Sequence, residues 1–199
     1  FNMKVAQVPT TLSPDGRSRP PHLRPWRDGW RHLRFMFLFS PKWLFVMPGI
    51  ALMALFIPIY ILLLRGPINF GAIELDVHTL FFVEAAVIIG YLAVCLGALV
   101  KLFGVREGLL RIRGNIEYFY SLPLLEVGGL IGLSIAIGGA ILAFYSLNIW
   151  RLQGFGSLPT HPLLRMVSFS TMLILIGFIT FMMSLIMGFL SLPTRRENI

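Results

Sequence analysis

The sequence is short of charge. Of 199 residues only 13% are Asp, Glu, Lys or Arg, where an ordinary soluble domain carries about 25%. With 56% hydrophobic residues and a mean hydropathy of +0.79, too few charges remain to cover a surface facing water. The chain reads as an integral membrane protein. Cysteine is almost absent. Cys95 stands alone in an apolar run, which leaves no internal disulfide framework and no cysteine-ligated metal site. Acidic residues number nine and are scattered. There is no Asp-x-Asp pair, P-loop, HExxH or GxSxG. These 199 residues are therefore expected to hold no catalytic residue, metal or cofactor, and to be inert alone.

Four long apolar runs are what the sequence does have, at about 43–64, 77–100, 122–147 and 167–192. A membrane-crossing helix needs about 20 such residues, so all four qualify. The predicted fold is all-α: four transmembrane helices over 41–199. Lys and Arg are distributed unevenly around the runs. The segment 1–42, the loop 101–121 and the tail hold fourteen, and the loops 65–76 and 148–166 hold three. Basic loops mark the cytoplasmic side, which predicts a cytoplasmic N-terminus and C-terminus.

Inside the runs, Gly128, Gly132 and Ser134 read as close helix packing, and Pro48 and Pro58 as kinks in the first span. Glu84 lies about two turns inside the second span, where it needs a polar partner or a proton. Glu126 is close enough to a span end to reach the interface, as is His78. One deep carboxylate and no inverted repeat argue against a transporter.

The segment before the first span divides in two. Residues 3–12, "MKVAQVPTTL", alternate and then turn, as a short edge strand does. No other part of the chain offers a partner, so residues 1–24 are expected to be the end of a cytoplasmic domain plus a linker. The lack of an initial Met favours the same expectation. Residues 25–40 differ. Trp26, Trp30, Leu33 and Phe37 form one helical stripe, and Arg27, Arg31 and Arg34 form another. Such a basic amphipathic helix lies at headgroup depth, with Trp26, Trp30 and Trp43 as interfacial anchors. Its guanidiniums suit a lipid phosphate, which they can grip with two hydrogen bonds. Nucleic acid is not expected, because headgroups compete for the same arginines.

The stretch "KVAQVPTTLSPDGRSRPPHLRPWRDGWRHLRFMFLFSPKWLFVMPG" resembles the junction of bacterial family 2 glycosyltransferases of the dolichol-phosphate glucose/mannose synthase type. The loop "IWRLQGFGSLP" and the Gly- and Phe-rich last span are similar to the same family. The resemblance implies the membrane-anchoring domain of a polyprenyl-phosphate glycosyltransferase in the bacterial inner membrane. Such an enzyme moves a sugar from a nucleotide sugar to a lipid phosphate at the cytoplasmic face. It further implies that Arg17, Ser18 and Arg19, with Arg24, Arg27, Arg31 and Arg34, meet that phosphate. A divalent metal is expected only in the family's catalytic domain, whose acidic pair these residues lack. The alternative is a non-enzymatic scaffold or accessory subunit, held by other membrane subunits or by self-association.

Overall fold

The structure is a computed structural model that describes residues 6–11, 24–71, 73–109, 124–156 and 161–192. Residues 1–35 and 36–199 form two compact units. In the first, residues 6–11 lie in no ladder. A strand needs a neighbour for its backbone hydrogen bonds, and the described residues offer none there. Positions 3–5 and 12 of the expected strand fall outside the described residues.

Helix α1 covers Pro25–Phe39, as the period predicts. Pro25 at its first position forfeits only an amide that would lack a partner anyway. Asp28 joins its first turn, and its carboxylate accepts a hydrogen bond from the Arg24 amide at 3.0 Å.

Ser40 and Pro41 end that helix, and Lys42–Val46 then wind as a π-helical turn before α2, Met47–Arg65. A hairpin follows, β1 (Ile68–Phe70) antiparallel to β2 (Ile73–Leu75), with Phe70 paired to Ile73. Gly71 makes its turn with φ +60, a left-handed conformation that glycine takes without cost. Among the described residues the remaining helices are α3 (Val77–Arg106), α4 (Leu124–Leu152) and α5 (His161–Leu190). Among the described residues four helices are long and apolar enough to cross a membrane, at Lys42–Arg65, Val77–Arg106, Glu126–Leu152 and Pro162–Leu190. Each runs past its predicted apolar stretch at one end or both. Lys101 and Arg106 continue α3, and Arg165 sits inside α5 rather than before it.

The spans pack in a row: α2 on α3, α3 on α5, and α5 on α4. Only 11–22% of each span is buried within the protein. Phe82, Leu130, Phe144 and Phe189 are thus free to face hydrocarbon, as membrane helices do. Glycine sets the close approaches. A Cβ on Gly132 of α4 would sit 2.5 Å from the Phe181 amide nitrogen of α5, so those backbones touch. Gly49 and Gly90 do the same for α2 and α3, where a Cβ on Gly90 would lie 2.9 Å from the Gly49 carbonyl. The buried core lies at the hairpin end. Tyr60, Leu63, Leu80 and Val83 meet there, flanked by Ile68, Leu75 and Met172.

Candidate functional site

Two groups of side chains could carry function, and each is built from one helix pattern. The first is α1. Arg27, Arg31 and Arg34 within it, and Arg24 just before it, are all exposed. Trp26 (93% exposed) and Trp30 (64%) are exposed beside them. Two large indoles left open to water would be costly. The same indoles at headgroup depth are well placed, with an apolar ring and one N–H donor. Among the described residues, none of the four guanidiniums is paired with a carboxylate. They are available to an anion. Arg17, Ser18 and Arg19 lie outside the described residues. Trp43, in the π-helical turn, is 69% exposed, in keeping with an anchor.

The second group runs along the interface of α3 with α5, two helices that lie parallel. Glu84 is buried, 5% exposed, and accepts a hydrogen bond from the Ser168 hydroxyl at 2.5 Å. Ser168 Oγ also lies 3.1 Å from the Tyr60 hydroxyl. Three spans thus meet at one hydroxyl, and the carboxyl has the polar partner its depth demanded. Toward the hairpin, Arg165 Nη2 pairs with Asp76 at 2.5 Å. Further along, Tyr91 and Thr180 share a hydrogen bond of 2.6 Å. At the far end Arg106 donates to the Leu190 carbonyl at 2.7 Å, capping α5. Glu126 is exposed in the first turn of α4, where a helix N-terminus favours an anion. His78 is exposed as well. Neither joins the buried line.

Chemically, the line holds helices in register. Among the described residues no three His, Cys, Asp or Glu gather as a metal site would require. The structure places Arg27, Arg31 and Arg34 on one helix, α1. Tyr60, Ser168, Asp76 and Arg165 went unpredicted. A hydroxyl in an apolar run gives no signal of its own, and Asp76 and Arg165 stand 89 residues apart.

Comparison with known proteins agrees with this architecture. Residues 98–191 match the glycosyltransferase family 2 C-terminal transmembrane region. The chain is 27% identical over 164 residues to the low-salt glycan biosynthesis hexosyltransferase Agl6 of Haloferax volcanii. That alignment covers 79% of this chain and 37% of the relative, so the chain spans little more than a third of the relative's length. No solved structure matches. The four spans form a helical membrane domain, and its residues 98–191 are similar to the C-terminal transmembrane region of family 2 glycosyltransferases.

Proposed function

We propose that this domain presents a polyprenyl phosphate to a sugar-transferring catalytic unit of the same enzyme. The basic helix α1 would hold the lipid phosphate at headgroup depth. The observation that carries the reading is one helix with three exposed arginines, Arg27, Arg31 and Arg34, unpaired among the described residues, and two exposed tryptophans; Arg24 stands just before it in the sequence and a membrane span just after it. A membrane-borne phosphate arrives at that depth, and arginine forks match its oxygens. The hexosyltransferase relative supports sugar transfer as the reaction of the whole protein. Any divalent metal belongs to the nucleotide-sugar site of the catalytic unit. The lysine and arginine distribution supports cytoplasmic termini, and the resemblance supports a bacterial inner membrane.

The test is steady-state kinetics on the full-length protein with Arg27→Ala and Arg31→Ala combined. The KM for the lipid acceptor should rise at least about tenfold, since each charge-assisted hydrogen bond contributes about 1.5–3 kcal/mol. Nucleotide-sugar binding should not change. Equal acceptor kinetics would reduce α1 to an anchor. The 199 residues alone should transfer no sugar; turnover by that purified chain would overturn this part of the reading.

The second reading is an accessory subunit that binds a partner through its lipid-facing helices. It is favoured by the absence, among the described residues, of a catalytic or metal set. A stable partner that co-purifies through detergent, with no acceptor effect from the arginine variants, would support it over the first.

A further inference from the structure

Between α4 and α5, toward the hairpin end, lies a groove that none of this uses. Its volume is about 770 Å³, within the roughly 300–1,000 Å³ of small-molecule sites. Ala140, Phe144 and Leu147 form one wall, and Leu163, Val167 and Ile174 the other. The three hydroxyls that line it are already engaged: Ser146 donates to the Leu142 carbonyl at 2.9 Å, and Ser170 and Thr171 both donate to the Val167 carbonyl, at 2.7 and 2.9 Å. The lining is therefore apolar. Both walls are membrane-spanning helices, so the groove opens onto lipid and not onto water.

Its mouth is marked. Trp150 lines it, donates its indole N–H to the Gly156 carbonyl at 3.2 Å, and stands edge-on to Phe155 with ring centroids 5.0 Å apart. A tryptophan fixed in this way belongs at headgroup level. Arg151 continues the stripe of Ala140, Phe144 and Leu147 by one more turn, and it is exposed. No Asp or Glu occurs between Glu126 and Glu197. The two helices that form the groove therefore bring only positive charge to its mouth, and Arg165 is drawn away by Asp76.

We propose that this groove binds one phospholipid with an anionic headgroup, its acyl chain between α4 and α5 and its phosphate at Arg151. An apolar channel that opens sideways into a bilayer takes a chain. A lone exposed arginine at headgroup depth selects the charge of the head. The bound lipid is a resident one, and the reading stands whether or not α1 handles a lipid acceptor.

Native mass spectrometry of the detergent-purified full-length protein tests this. Phosphatidylglycerol, phosphatidylcholine and a polyprenyl phosphate would be titrated separately. One phosphatidylglycerol should be retained per chain, with about fivefold preference over phosphatidylcholine, the effect of one arginine near an anionic surface. Arg151→Gln should abolish the preference. Ala140→Phe, which puts a ring into the groove from its exposed wall, should abolish retention of both phospholipids. Ala140→Leu serves if circular dichroism shows that the Phe variant has lost helix. Equal retention of the two phospholipids by the unaltered protein would overturn the proposal. So would unchanged retention after Ala140 is enlarged, or an Arg151-dependent preference for the polyprenyl phosphate.

Discussion

Ser168 is a small residue with a large share of the packing. Its hydroxyl is fully buried and is the contact that Glu84 and Tyr60 have in common. Ser168→Ala removes it and leaves a buried carboxyl and a buried phenol without that partner. Losing one partner of a buried polar group costs about 1–3 kcal/mol, whereas replacing both by apolar groups can be nearly neutral. Ser168→Ala should therefore lower the unfolding temperature in detergent, and Ser168→Ala with Glu84→Leu should recover part of the loss. Differential scanning fluorimetry of the two variants checks this, and a double variant that is simply additive would contradict it. At this scale the sequence was half legible. The depth of Glu84 was visible in its apolar run, and so was its need for a partner. Which hydroxyl meets it depends on how α3 and α5 pack, and no local pattern encodes that.

At the scale of elements, hydropathy located all four spans because a membrane demands about 20 apolar residues from each. It misplaced their ends for a physical reason. Charge ends an apolar run but does not end a helix, whose backbone bonds are indifferent to Lys101 or Arg106. The hairpin within 68–75 gave no expectation of its own, although Gly71 between Ile-Asn-Phe and Ile-Glu-Leu, two alternating triplets, is a turn signal. Three-residue strands are too short for a period to register. That α4 packs closely was legible in Gly128 and Gly132, its partner α5 was not, and the contact yields a prediction. Gly132→Leu places a branched side chain where a Cβ already lies 2.5 Å from backbone. The two helices must separate, at a cost of about 1–3 kcal/mol for overpacking or more. Differential scanning fluorimetry in detergent should show a lower unfolding temperature for Gly132→Leu and little change for Ile131→Leu, on the exposed face beside it. For α1, the synthetic segment 25–39 should bind vesicles containing phosphatidylglycerol and release them as salt rises, because screening shortens the reach of its three arginines. Salt-independent binding would leave tryptophan burial as the main attraction.

For the whole molecule, the charge count gives an orientation that labelling can test. In a Cys95→Ser background, Glu74→Cys on the hairpin should react with an impermeant maleimide added to intact cells. Glu107→Cys, just past α3, should react only after the membrane is opened. The reverse result would invert the proposed topology and put α1 on the side away from any cytoplasmic sugar donor.

The two charged ties between α3 and α5 have one more consequence. Asp76 holds Arg165 at one end of α3, and Arg106 holds the end of α5 at the other. They are thirty residues apart, or about 45 Å of helix. That is close to the roughly 40–45 Å of a bilayer with its headgroups. The pair works as a caliper with a polar jaw on each side of the membrane. A bilayer thinner than the gap must stretch toward the jaws or tilt the helices between them. The protein should therefore be most stable in lipids whose thickness matches this spacing, and least stable in short-chain bilayers.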